Sequence, residues 1–170
     1  MVKSAAVRRR GAAVTANWAW LLTPAARMRR WLLARLNIAT RGAKVIVRNP
    51  EGAVLLVRNS YSRMPRWTLP GGGIKRRETP AQGALREVRE ETACALRELA
   101  PFGVYLNLGE GRRDTVHLFS GLTSDTPTPD GFEISEAVFF PLHALPADVG
   151  KATRRRLAEW RGERTPDGRW

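Results

Sequence analysis

Three glutamates, Glu87, Glu90 and Glu91, recur at the i, i+3 and i+4 spacing of a helix. Residues at this spacing share one helix face, so their carboxylates repel one another unless a cation lies among them. Carboxylate oxygens are preferred ligands of Mg²⁺ and Mn²⁺, and Mg²⁺ readily bridges protein carboxylates to substrate phosphates. The spacing therefore indicates either a divalent-metal site or a solvated acidic face that arginines neutralise, since Arg86 forms an i, i+4 pair with Glu90.

A helix over residues 79–92 is predicted to carry these glutamates. Thr79 is a suitable N-cap, Pro80 suits the first helical position, and Gln82 completes a capping box with Thr79. Five residues share one face of this helix and are expected to be buried: Ala81, Ala84, Leu85, Val88 and Thr92.

Three glycines, Gly71 to Gly73, follow Pro70 and precede this helix. Glycine lets the backbone approach a ligand or a helix closely and leaves its carbonyl and amide groups accessible. A glycine loop followed by an acidic helix predicts a site for a metal ion and a diphosphate group.

The stretch from Gly72 to Cys94 closely resembles the Nudix box of the Nudix hydrolase superfamily. Five residues separate Gly72 from Glu78, and seven more lead to the run Arg86-Glu87-Val88-Arg89-Glu90-Glu91. Ala93 stands where the family has the glycine that ends the helix in a left-handed turn, so we expect a local cost in stability and no loss of activity. The resemblance covers about residues 40–160 and implies an α/β/α sandwich with a mixed β-sheet.

The resemblance implies hydrolysis of a nucleoside diphosphate linked to another moiety, with Mg²⁺ or Mn²⁺ as cofactor and water as nucleophile. Glu87, Glu90 and Glu91 would ligate the metal, with the Gly71 carbonyl as an extra ligand. Either Glu90 or Glu87 would orient or deprotonate the attacking water. A metal ion would lower the pKa of that water and offset charge on the phosphate oxygens.

Further roles also follow from the resemblance. Arg86, placed with the catalytic residues, would join Glu78 in holding the loop and the helix together and in aiming the carboxylates. The catalytic base of some family members lies in a later loop, where Glu133 and Glu136 are the candidates.

Four side chains are candidates for substrate binding. Arg58 and Arg113 could each contact a phosphate, because arginine offers paired donors. Trp67 or Tyr105 could stack on a nucleobase. The alternatives are solvated charges for the arginines and core positions for the aromatic rings.

The length of the chain, 170 residues, is enough for one ordinary domain. One cysteine cannot form an internal disulfide, and two histidines with one cysteine do not make a Cys/His zinc site. Residues 1–50 hold eleven Lys and Arg and no carboxylate, whereas the remainder is nearly neutral. We therefore divide the chain into a basic leader (1–39), a Nudix domain (40–162) and a C-terminal tail (163–170).

The leader contains an amphipathic helix pattern after Thr23-Pro24. We expect this helix to dock on the domain. The alternatives are contact with a membrane surface or an acidic partner, a targeting segment, and a translation start at Met28. Apolar stretches in the leader are too short and interrupted to span a membrane, and we predict a cytoplasmic protein.

Beyond the helix, short apolar runs predict a mixed sheet. Strands are expected at 44–48, 54–58, 67–69, 102–106, 115–121 and 137–140, with a turn at Asn49-Pro50-Glu51-Gly52 and a basic helix at 151–160. The function expected first is a pyrophosphohydrolase acting on a small nucleotide. Two alternatives stay open, an RNA 5′-end pyrophosphohydrolase and a nucleotide-binding module without turnover. The nucleobase, the second moiety and the oligomeric state are left open.

Overall fold

The computed structural model describes residues 40–60, 62, 64–108 and 114–170. The predictions for the leader lie outside these residues. Its elements are β1 (Thr40–Arg48), β2 (Val54–Asn59), β3 (Trp67–Thr68), α1 (Pro80–Thr92), β4 (Arg97–Asn107), β5 (Asp114–Leu122), β6 (Ile134–Phe140), a 3₁₀ turn (Leu142–Ala144) and α2 (Lys151–Trp160). None of the helices in these ranges is long and apolar enough to cross a membrane.

Six strands form one mixed sheet in the order β3-β2-β1-β5-β4, with β6 paired to β2. The central pair, β1 and β5, is parallel, and the other pairs are antiparallel. The β1–β2 turn is closed by backbone hydrogen bonds from Asn49 to Ala53 (3.1 Å) and from Gly52 to Asn49 (3.0 Å). The predicted turn and mixed sheet are therefore confirmed.

The alternation of side chains along β1 divides the core between the two faces of the sheet. Val45 and Val47 belong to one apolar cluster with Ala84 and Val88 of α1. Ile46, between them in sequence, belongs to a second cluster that includes residues of α2. Each helix thus covers one face, which is the predicted α/β/α sandwich.

Helix α1 begins with the predicted capping box of Thr79 and Gln82. Its buried face differs from the prediction, because Gly83 and Glu91 are buried whereas Ala81 and Leu85 are not fully buried. Leu85 is 41% exposed, whereas Glu91 is only 8% exposed. The face that meets the sheet centres on Ala84 and Val88, so the helix turns a carboxylate inward and a leucine outward.

Ala93 ends α1 in the left-handed conformation (φ 59°, ψ 4°), as predicted from the missing glycine. Replacing Ala93 by glycine is expected to stabilise the fold by about 1 kcal/mol, because a Cβ in this conformation costs about 1–2 kcal/mol and glycine has a more flexible unfolded chain. Thermal unfolding should show a melting temperature about 2–4 °C higher.

Ala95 provides the matched control for this substitution, because it lies two residues on and is not among the described non-glycine residues with positive φ. Ala95→Gly should not raise the melting temperature. Equal melting temperatures for the wild type and Ala93→Gly would contradict the assignment of strain to Ala93.

The segment 163–170, predicted as a tail, pairs with the free edge of β4. The Leu106 amide donates to the Gly168 carbonyl (2.8 Å), and the Trp170 amide donates to the Leu106 carbonyl (2.9 Å). Strand β4 itself begins at Arg97, five residues before its predicted start, because irregular pairing with β5 extends past Pro101.

A buried charge pair joins α2 to β4 and to this segment. Arg156 and Glu159 have fully buried side chains, with Arg156 Nη2 2.6 Å from Glu159 Oε1. The Tyr105 hydroxyl donates to Glu159 Oε2 (2.9 Å), and Arg156 Nη1 donates to the Arg169 carbonyl (2.5 Å). Burial, with the nearby Glu159 charge, raises the pKa of Tyr105 to about 12.

Candidate active site

The glycine loop lies alongside β1, which fixes its position in front of α1. The amides of Ala43 and Val45 donate to the carbonyls of Gly72 (2.9 Å) and Pro70 (3.0 Å). These bonds attach the loop to the central strand of the sheet, a rigid support for a site.

Glycine is required at two positions of this loop. Gly71 has φ +125°, and a Cβ there would lie 2.2 Å from the Ala43 carbonyl oxygen. A Cβ on Gly72 would lie 2.5 Å from Glu87 Oε2. Gly71 therefore lets the loop lie close to β1, and Gly72 lets it lie close to the acidic helix, because neither residue carries a side chain.

Arg86 connects this loop to the acidic face of α1. It donates to Glu78 through Nε (2.6 Å) and Nη2 (2.9 Å), and Nη2 also donates to the Gly73 carbonyl (2.9 Å). Its Nη1 donates to Glu87 (2.7 Å) and to Glu90 (2.8 Å). These contacts join the loop to the helix, and the role of Arg86 and Glu78 in aiming the carboxylates stays a prediction.

Glu78 stays ionised in this arrangement. Its Oε2 also accepts from the Lys75 amide at 2.8 Å. The hydrogen bonds from Arg86, followed by that from Lys75, lower the pKa of Glu78 to about 2. The link between loop and helix therefore remains a charged pair at neutral pH.

The three glutamates of α1 occupy different environments. Glu90 is the most open, with 56% of its side chain exposed, whereas Glu87 lies against the loop. Glu91 is buried, and its Oε2 accepts from the Gly71 amide at 2.7 Å. Burial raises the pKa of Glu91 to about 7, against the lowering effects of Lys44 and of the Gly71 amide.

The three carboxylates bind different hydrogen-bond donors of the protein and do not meet at one point. Among the described residues, no three His, Cys, Asp or Glu side chains converge as a ready-made metal centre. Arg86 holds Glu87 and Glu90, and the Gly71 amide holds Glu91. The groups that could ligate a metal nevertheless all offer oxygen atoms, which are the ligands that a hard divalent cation prefers.

The Gly71 carbonyl, implied as an extra ligand, accepts a hydrogen bond from the Lys44 ammonium. Lys44 Nζ also donates to the Leu69 carbonyl at 2.9 Å. Lys44 is not among the site residues predicted from the sequence. A lysine within the otherwise apolar run of β1 was the signal that could have identified it.

Glu133 and Glu136, the two candidates outside the box, lie in different surroundings. The pKa of Glu133 is raised mainly by burial of its carboxyl group. The nearby negative charges of Asp130, Glu87 and Glu90 raise it further. Glu136 instead pairs with Arg58 at 3.1 Å. The structure therefore brings Glu133, and not Glu136, towards the acidic helix.

Three of the four predicted substrate-binding side chains belong to the described residues, and each of these three is paired or buried elsewhere in the fold. Arg58 pairs with Asp148 (2.9 Å) and lies 4.4 Å over the Trp67 ring. Trp67 is 5% exposed and Tyr105 is 1% exposed, so base stacking by either ring is not supported. Both rings are core residues because the sheet packs against α2 there. Arg113 lies outside the described residues.

A cavity of about 290 Å³ lies beside the loop, on the face of the sheet that packs against α2. Lys44, Leu69 and Thr68 line one part of it, and the first residues of α2 with Trp170 line another. Lys44 therefore contacts both this cavity and the glycine loop. Trp170 was not predicted at this position, because only the folding of segment 163–170 onto β4 brings it to the domain.

Comparison with known proteins agrees with this geometry. A model of the NUDIX domain matches residues 39–161. The "Putative mutator protein MutT4" of Mycobacterium tuberculosis is 36% identical over 121 residues, which are 66% of this chain and 47% of that protein. The "Putative 8-oxo-dGTP diphosphatase" of Bacillus subtilis is 32% identical over 123 residues, which are 72% of this chain and 80% of that protein.

Solved structures show the same fold. A NUDIX hydrolase from Nitrosomonas europaea aligns with a TM-score of 0.62 at 27% identity, over 76% of this chain and 74% of that one. The mixed sheet between two helices, with a glycine loop facing an acidic helix, defines the class of the Nudix fold. The chain belongs to the Nudix hydrolase superfamily. It spans about half the length of the mycobacterial relative.

Proposed function

We propose that this protein is a metal-dependent pyrophosphohydrolase that cleaves a diphosphate bond in a nucleotide. The substrate is a nucleoside diphosphate linked to another group, and a purine nucleoside triphosphate, normal or oxidised, is the first candidate. The name of the Bacillus relative supports that candidate. The proposal is carried by the contacts of Arg86, which bonds to Glu87, to Glu90 and to the glycine loop. The amide of Gly71 in the same loop binds Glu91.

Glu87, Glu90 and Glu91 would hold Mg²⁺ or Mn²⁺. Such an ion, when bound, lowers the pKa of a coordinated water and offsets charge on the phosphate oxygens. Arg86 keeps the carboxylates aimed at the loop, and Glu78 fixes Arg86 in turn. The rigid attachment of the loop to β1 keeps this geometry in place before substrate arrives.

Glu90 is the residue proposed to take the proton from the attacking water. Its Oε2 accepts from Arg86, whereas Oε1 lies 3.9 Å from Lys75 Nζ and is open to solvent. The water oxygen forms a bond to phosphorus, its proton passes to Glu90, and the bond from phosphorus to the bridging oxygen breaks. The leaving phosphate group keeps the bridging oxygen and carries its negative charge. Glu133 is the alternative base, since it lies near enough to Glu87 and Glu90 for their charges to raise its pKa.

The two alternative functions have weaker support. The basic residues that would bind an RNA backbone lie mainly in the leader, outside the described residues. A module without turnover has no need for every box carboxylate, and all of them are present here. We place the proposed activity in the cytoplasm, where free nucleotides are available.

A panel of substrates tests the proposal. It contains normal and oxidised nucleoside triphosphates, ADP-ribose, nucleotide sugars, dinucleoside polyphosphates and capped RNA, each with Mg²⁺ or Mn²⁺. We expect turnover of a small nucleotide that a chelator abolishes and that moderate salt changes little. Turnover of RNA alone, falling steeply with salt, would support the RNA enzyme. A folded protein that turns over nothing would contradict the proposal.

A further inference from the structure

From Leu69 to Gly72 the carbonyls alternate between two partners, the β1 amides and the Lys44 ammonium. Leu69 and Gly71 alternate with the residues whose carbonyls pair with the β1 backbone. Both of their carbonyls accept from Lys44 Nζ, at 2.9 Å for Leu69. The Lys44 side chain and the β1 backbone together therefore bind all four carbonyls from Leu69 to Gly72.

Gly71 is held on both sides by opposite charges. Its carbonyl accepts from the Lys44 ammonium, and its amide donates to the Glu91 carboxylate at 2.7 Å. One residue of the loop therefore separates a lysine from a carboxylate proposed to bind metal. The region already contains a cation before any metal ion enters it.

We propose that Lys44 is a positioning residue that competes with the divalent cation for the Gly71 carbonyl. This inference rests on the proposed function, because it concerns the metal of that same site. An ammonium group and a divalent cation are attracted to the same oxygen and repel each other at short range. Lys44 therefore keeps the loop ordered without metal and lowers the affinity of the site for metal.

Mn²⁺ binding in the absence of nucleotide, followed by electron paramagnetic resonance, tests this proposal. Lys44→Met removes the charge and frees the Gly71 carbonyl, and we expect Mn²⁺ to bind at least about tenfold more tightly. Lys44→Arg keeps the charge and is expected to bind Mn²⁺ like the wild type. A purely structural lysine would give the opposite sign, since a disordered loop weakens binding.

Lys151→Met is the matched control, because Lys151 lines the same cavity, whereas the ammonium that donates to the Gly71 carbonyl belongs to Lys44. It loses the same charge and should leave Mn²⁺ affinity unchanged. Thermal unfolding checks that each variant is folded, and Lys44→Gln replaces Lys44→Met if the latter is not. Equal or weaker binding by the uncharged variant would overturn the proposal. Absence of binding in both proteins would overturn it too, and the substrate panel would still decide the proposed function separately.

Discussion

Replacing Glu90 by glutamine is expected to lower kcat about 10²–10⁴-fold on whichever nucleotide the panel identifies. The amide has nearly the same shape as the carboxylate and can still accept from Arg86 at the position of Oε2. It cannot take a proton from water, which is the step assigned to Glu90. Steady-state kinetics at saturating metal and substrate measure this loss directly.

Two comparisons separate the proton-transfer role from simple metal binding. If Glu90 only ligated metal, excess Mn²⁺ would restore most of the activity of Glu90→Gln, and we expect that it does not. Glu133→Gln should lower kcat less than Glu90→Gln. Glu51→Gln, in the exposed β1–β2 turn, should change nothing. A Glu90→Gln enzyme that retains most of its turnover would move the proton-transfer role to Glu133.

Replacing Arg156 by methionine is expected to destabilise the fold by about 3–5 kcal/mol, the usual cost of removing one partner of a buried ion pair. Methionine preserves the apolar volume, but it leaves the Glu159 carboxylate buried without its main partner. It also removes the donor to the Arg169 carbonyl and the cation 4.1 Å from the Tyr105 ring. Thermal unfolding should show a melting temperature lower by about 10 °C.

Arg161→Met provides the surface control, because Arg161 pairs with Glu163 at 2.6 Å while both side chains are about half exposed. Such a pair contributes about 0–1 kcal/mol, so the melting temperature should hardly change. The double variant Arg156→Met with Glu159→Leu should recover much of the loss, because no charge is then left buried. A single variant at Arg156 that unfolds like the wild type would contradict the assigned role of the pair.

Local sequence signals predicted most of the secondary structure. The capping box at Thr79 fixed the start of α1, and the Asn49–Gly52 turn fixed the register of the first hairpin, because both are decided by neighbouring residues. The early start of β4 was missed, since bulged pairing with β5 depends on a distant strand. The inward rotation of Glu91 was missed for the same kind of reason, because the Gly71 amide stabilises it from another element.

The sequence by itself was sufficient to predict the chemistry that we propose for this site. The types and spacing of Gly72, Glu78, Arg86 and the three glutamates are properties of one continuous segment, and they pointed to phosphate and metal chemistry before any fold was known. The relative positions of these residues are set locally, because all of them belong to one helix and the loop that precedes it.

The tertiary structure decided which other residues join that site. Lys44 contacts the loop, Glu133 lies near the charges of Glu87 and Glu90, and Trp170 lines the neighbouring cavity. These residues come from separate parts of the chain, so no local pattern predicts that they meet. The same folding buried Trp67 and Tyr105, which had been considered for base stacking. Contacts between residues distant in sequence depend on how the sheet pairs and which face each helix covers, and that is settled only when the whole core packs together.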